Sequence, residues 1–155
     1  MKKAAAYSIS IKDHLVIFPG VREFIEAAAA TYPIAIASGA LRPEIELILE
    51  QIGIRKAFGH ITSAEDVTCG KPNPEPFLQA LAGLNRHQST AAIVPSSCLV
   101  IEDSLPGIRA AKAAGMKVLA VANTHTIRDL HEADAISASL SETRLNDVRA
   151  RLWPT

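Results

Sequence analysis

Cysteine is scarce in this 155-residue chain. Cys69 and Cys98 are its two cysteines, far apart and without a C-x-x-C pair. That count excludes a disulfide-stapled scaffold and a thiolate metal cluster, and it points to a reduced, cytoplasmic setting. Charge of one sign is also missing: Lys plus Arg and Asp plus Glu are 16 each, for a formal net charge of +0. No bulk field therefore argues for nucleic acid or for an anionic membrane surface. No apolar run approaches the roughly 20 residues of a membrane span. The opening Met1-Lys2-Lys3 resembles the start of a secretory signal, but Ser8, Ser10, Lys12 and Asp13 interrupt the apolar core that such a signal needs. No G-x-G-x-x-G follows a strand, which disfavours a dinucleotide site. Internal repeats and low-complexity tracts are absent as well.

What the sequence does contain is an alternation of helix and strand signals. Helices are expected over Val21–Thr31, Pro43–Ile52, Glu75–Leu84 and Pro106–Ala114, with Gly53 and Gly115 placed to end two of them. Short β-branched or apolar runs between them, "YPIAIAS", "FGHITS", "CLVIEDS" and "MKVLAVAN", are expected to be strands. Leu99, Val100 and Ile101 read as a strand buried on both faces. "CGKPNPEPF" is a proline-rich loop. Strand–helix units with nearly continuous apolar strands imply an α/β fold, a parallel sheet covered by helices on both faces.

In such a sheet, ligands bind at the carboxyl ends of the strands. The polar residues of interest fall there: Ser38 and Gly39 after "IAIA", and the adjacent acids Glu102 and Asp103 after "LVI", with Lys71 in the loop between. A hydroxyl, an ammonium and a carboxylate pair on one rim suit a phosphate with magnesium. Each has a plainer reading. Ser38 can satisfy the turn or cap the next helix, Lys71 can be a solvated charge, and Asp103 can be a helix N-cap. Arg42 has a substrate-facing and a surface reading. Cys69 and Cys98 read as packing residues; His14, His60, His87, His125 and His131, which lack metal-ligand spacing, read as structural or surface groups.

"IASGA", "GKPNPEPF" and "VIEDSLPGIRAAKAAGM" resemble, in order and spacing, the second, third and fourth motifs of the haloacid dehalogenase superfamily. The resemblance is to its β-phosphoglucomutase-like and phosphoglycolate-phosphatase-like branch, and it runs from about Phe18 to Asn123. It implies a Rossmann-like core over residues 18–155, with residues 1–17 a remnant of the exit segment of the family's cap. It makes Ser38 the donor to a phosphoryl oxygen and, with Gly39, part of the phosphate site. Lys71 becomes the lysine that neutralises phosphate and nucleophile. Asp103 becomes a direct magnesium ligand, and Glu102 its partner through water. The implied reaction is magnesium-dependent phosphoryl transfer on a small phosphorylated metabolite through an aspartyl phosphate. Hydrolysis is favoured over mutase chemistry, and dehalogenation is disfavoured.

The sequence departs from the pattern at one place. The family's first motif, D-x-D-x-T/V, which carries the nucleophile at the end of a central strand, has no counterpart, because no D-x-D occurs anywhere in the chain. In the family that strand lies between those that are here "IAIAS" and "LVIED". Its loss is expected to leave two unpaired central edges, an inactive chain, and weak or absent magnesium binding. "AYSISI" (Ala6–Ile11) is one candidate replacement strand; a partner supplying the missing half, or self-association, is another. The alternative function is a non-catalytic phosphate- or metal-binding or interaction module.

Overall fold

The computed structural model describes residues 17–155. The candidate strand Ala6–Ile11 and the cap-exit segment lie almost wholly outside the described residues. Ten regular elements follow: α1 Val21–Ala29, β1 Ala35–Ala37, α2 Arg42–Ile52, β2 His60–Thr62, α3 Glu75–Asn85, β3 Leu99–Glu102, α4 Leu105–Ala113, β4 Lys117–Val121, β5 Ala135–Ser137 and α5 Leu145–Leu152. All strand pairs are parallel, as expected of an α/β fold. Helices α2 and α4 stop where their glycines permit: Gly53 and Gly115 both take φ of 78°, the left-handed region that side chains disfavour.

Among the described residues the sheet comes in two pieces. One is β1–β2, with Ala35, Ile36 and Ala37 opposite His60, Ile61 and Thr62. The other is β3–β4–β5, in which Leu99 to Glu102 pair with Lys117 to Ala120, and Leu119 to Val121 with Ala135 to Ser137. Among the described residues no ladder joins β1 to β3, and each has one edge without a partner strand. The interruption stands where the family resemblance places the strand of the first motif.

Helices hold the two pieces together. Strand side chains alternate between faces, so Val118 and Ala120 of β4 enter one core while Leu119 and Val121 enter another. On the first face, Phe77 and Leu81 of α3 pack with Val100, Ile108 and Val118, and the same helix covers β1 and β2. On the second face, Phe24 of α1 joins Leu119, Val121 and Val148, while its neighbour Ile25 packs against Ile45, Leu49 and Ile61. One helix on each face thus bridges the interruption through apolar contact, without backbone pairing.

Two expectations need correction. Ile101 is 37% exposed rather than buried, because β3 is an edge strand among the described residues. Cys69 is exposed and is no packing residue, whereas half-buried Cys98 packs against the core, with burial pushing its thiol pKa up. Strand β5 and helix α5 were not read in the sequence at all. The strand is three residues long, and the helix buries only one side chain, Val148. Among the described residues, no helix is long and apolar enough to cross a membrane.

Candidate active site

The loops after β1 and β2 are stitched together at the carboxyl edge. Ser38 N–H donates to Thr62 O (2.9 Å), and Ala64 N–H donates to Ala40 O (3.0 Å). The Ser38 hydroxyl oxygen accepts from Ala40 N–H at 3.1 Å, so it satisfies the turn; the N-cap of α2 is Leu41, not Ser38. That bond uses an oxygen lone pair and leaves the hydroxyl proton free to donate. Arg42 is tied into the loop after β2. Its guanidinium donates to Ile61 O (3.0 Å) and Asp66 Oδ2 (2.6 Å), and its N–H donates to Glu65 Oε2 (2.9 Å).

Asp66 closes the stitch, with Oδ2 also accepting from Ser63 N–H (2.7 Å) and Ser63 Oγ (2.8 Å). The Ser63 backbone donor first, then its hydroxyl, hold the Asp66 carboxyl below its ordinary 3.8; burial opposes them and Arg42 assists. A depressed folded pKa gives stability that is present above the unfolded value and lost as pH falls through the folded one. Urea midpoints measured from neutral pH down to well below the ordinary carboxylate range are expected to fall less steeply for Asp66→Asn than for the parent chain. An unchanged acid limb would show that Asp66 carries no such linkage.

Lys71 sits in the loop before α3, and Glu75 shapes that loop. Its two carboxylate oxygens accept from Thr68 N–H (2.9 Å) and Cys69 N–H (2.8 Å), donors that also lower its pKa. Asn73 Oδ1 accepts from Glu75 N–H at 2.9 Å, capping the helix start. The Lys71–Pro72 peptide is cis. From this loop the Lys71 ammonium reaches the Glu102 carboxylate and lies 4.8 Å from the centre of the Phe77 ring.

Strand parity explains why Lys71 meets Glu102. Glu102 shares the face of Val100, the face covered by α3. One of its oxygens pairs with Lys71. The other accepts from Asp103 N–H (3.1 Å), Ser104 N–H (3.2 Å) and Ser104 Oγ (3.1 Å). Both oxygens are therefore engaged by protein. Glu102 thereby holds Lys71 in place. The carboxylate lies against Gly107, where a Cβ would come 2.0 Å from Glu102 Cδ.

Asp103 turns the other way. Its Oδ2 accepts from Thr124 Oγ1 at 3.0 Å, and its other carboxylate oxygen has no hydrogen bond among the described residues. It is not the cap of α4: Ser104 is, with Oγ accepting from Gly107 N–H at 3.2 Å. The adjacent acids coexist because Glu102 is neutralised and buried while Asp103 is half-exposed. As one anchor of a hydrated magnesium ion, Asp103 fits, since a carboxylate with a free oxygen suits a hard cation that keeps several waters. The described residues bring no group of three His, Cys, Asp or Glu together that would complete such a site.

Comparison with known proteins decides the family. A haloacid dehalogenase-like hydrolase model matches residues 1–115. The chain belongs to the haloacid dehalogenase-like hydrolases. It is 37% identical over 136 residues to a bifunctional riboflavin kinase/FMN phosphatase of Arabidopsis thaliana, covering 86% of this chain and 34% of that one. It is 31% identical over 152 residues to a phosphorylated carbohydrates phosphatase of Thermotoga maritima, covering 96% and 65%. Among solved structures, a β-phosphoglucomutase from Clostridium difficile superposes with a TM-score of 0.79 at 26% identity, covering 96% of this chain and 63% of that one. The chain thus spans between a third and two thirds of these hydrolases and their kin. Both of the curated relatives named here carry a phosphatase activity in their names.

Sequence reasoning passed over Glu75 and Thr124, and read His125 only as a structural or surface group. Glu75 carries a signal, an acid in the first turn of a helix beside a polar loop. Thr124 and His125 carry none, because only the packing of β4 beside β3 brings them to Asp103.

Proposed function

We propose that this hydrolase-family chain carries the phosphate- and magnesium-binding half of a phosphatase site for a small phosphorylated metabolite. The observation that supports the reading most is the Lys71 ammonium, which crosses 31 positions of sequence to the rim where Asp103 emerges. In this reading the Ser38 hydroxyl and the N–H of Gly39 donate to phosphoryl oxygens, and Lys71, steadied by Glu102 and Phe77, supplies the compensating charge. Asp103 would hold the magnesium ion, which supplies charge neutralisation of the phosphoryl group when bound. The chain by itself has no D-x-D to supply a nucleophile and a general acid. We accordingly propose that it turns over no phosphate ester alone, and that a segment carrying that motif completes the site against the open edges of β1 and β3.

Calorimetric titration with inorganic phosphate in the presence of magnesium tests the half-site. Because Lys71→Met alone would strand the Glu102 charge, the informative variant is Lys71→Met with Glu102→Gln. Phosphate affinity is expected to fall roughly tenfold or more in that variant, the loss of one charge-assisted contact. Equal affinity in parent and double variant would refute the phosphate role of Lys71. In parallel, p-nitrophenyl phosphate should be left intact by the parent chain; magnesium-dependent turnover that vanishes on Lys71→Ala would refute the proposal that it is incomplete.

A further inference from the structure

The loop leaving β4 makes two contacts with Asp103, tied together by a third within the loop, that neither the family match nor the likeness to phosphatases assigns. Thr124 Oγ1 donates to Asp103 Oδ2 at 3.0 Å, His125 Nδ1 stands 2.9 Å from Asp103 backbone O, and the same Nδ1 stands 3.0 Å from Thr124 Oγ1. The proton assignments follow from the partners. A carboxylate can only accept, so the Thr124 hydroxyl proton goes to Asp103. That leaves Thr124 Oγ1 and Asp103 O both as acceptors facing His125 Nδ1, which must therefore carry a proton. The three groups form one connected set, His125 to Thr124 to the carboxylate, with a second tie from His125 to the Asp103 backbone.

This set fixes both ends of Asp103. The backbone carbonyl is held by His125 and the side chain by Thr124, while Glu102 holds the Asp103 N–H. Of the two carboxylate oxygens, only the one not bonded to Thr124 remains open. The loop is itself anchored. Thr126 caps the following turn, Ile127–Leu130, and Leu130 at its end is fully buried in the core beneath α4. We propose that Thr124 and His125 are positioning residues for Asp103, selecting its rotamer so that one oxygen is presented to a divalent cation. This rests on the reading of Asp103 as the metal anchor. Partners that hydrogen-bond a ligating carboxylate act in this way, and their loss costs about 10–100-fold in metal affinity or activity.

The test uses manganese as a spectroscopic stand-in for magnesium, titrated into the full chain with phosphate present and followed by electron paramagnetic resonance. Thr124→Val, which keeps the shape and removes the donor, is expected to weaken manganese binding about tenfold or more. Thr124→Ser, which restores the donor, is expected to bind as the parent does, and a structural role for the methyl group alone would not give that rescue. Affinity unchanged in Thr124→Val would overturn the proposal, provided Asp103→Asn abolishes binding in the same assay. If Asp103→Asn leaves binding intact, or the parent binds no manganese, the metal reading of Asp103 falls instead. The positioning claim is then decided by a crystal structure of Thr124→Val: an Asp103 side chain in another rotamer supports it, and one unmoved overturns it.

Discussion

Replacing Gly107 by alanine is expected to destabilise the chain by about 2 kcal/mol, although alanine is the better helix former. Two effects compete. Gly107 stands in the first turn of α4, where alanine gains up to about 1 kcal/mol of helix propensity. Against this, the new Cβ would fall 2.0 Å from Glu102 Cδ and 2.1 Å from one of its oxygens. A long side chain in open solvent would swing aside at little cost. Glu102 cannot, because it is buried and its oxygens bind Lys71, Asp103 N–H, Ser104 N–H and Ser104 Oγ. Moving it breaks hydrogen bonds of a buried charged group, at about 1–3 kcal/mol, and overpacks the site by a similar amount. The steric term wins. Equilibrium unfolding in urea gives the number, and a second variant gives the cause: Glu102→Asp, which withdraws the carboxylate by one methylene, is expected to recover part of the loss in the Gly107→Ala background. A Gly107→Ala chain as stable as the parent would show that Glu102 is free to move, and the tight cradle described above would be wrong.

The largest stability loss is expected at Leu130. It is fully buried, at the end of the turn that follows the Thr124–His125 loop, within the core of Phe77, Val100, Ile108 and Val118. Leu130→Ala removes buried methyl groups and leaves a cavity, a change that costs about 2–5 kcal/mol in comparable cores. The upper half of that range is expected here, because the surrounding α4 and β4 side chains are themselves fully buried and have little room to collapse. The consequence reaches the site. Without Leu130 the turn loses its anchor, and the loop that grips Asp103 loses its base. Hydrogen exchange at Asp129 N–H, which donates to Thr126 in the native turn, is expected to accelerate more than exchange at the β4 amides. Uniform acceleration would mean that the turn and the core unfold together, and that Leu130 has no local effect on the loop.

Much of this chain was legible before any coordinates. Helices α1 to α4 and strands β1 to β4 follow from apolar spacing and turn residues, because those signals are local. The true ends differ by a few residues: the helix expected to run to Thr31 stops at Ala29, ahead of the turn into Pro33. The break between β1 and β3 among the described residues was also expected from the sequence, through the motif that is absent. Strand β5 and helix α5 were missed because short, sparsely buried segments carry little periodic signal.

By itself, then, the sequence determined the order and kind of the main elements, the parallel α/β class, the placing of Ser38, Glu102 and Asp103 at strand ends with Lys71 in a loop between, and the family. Each depends on residues close together in the chain or on motifs read in order. Only the tertiary structure decided how the two acids divide their work. Glu102 shares a strand face with Val100 and so meets Lys71 beneath α3, whereas Asp103 leaves the strand toward Thr124 and His125, 21 and 22 positions away. Neighbours in sequence were sent to different partners because β3 packs between a helix on one face and a parallel strand at its side. That is a fact of packing, which no spacing of letters contains.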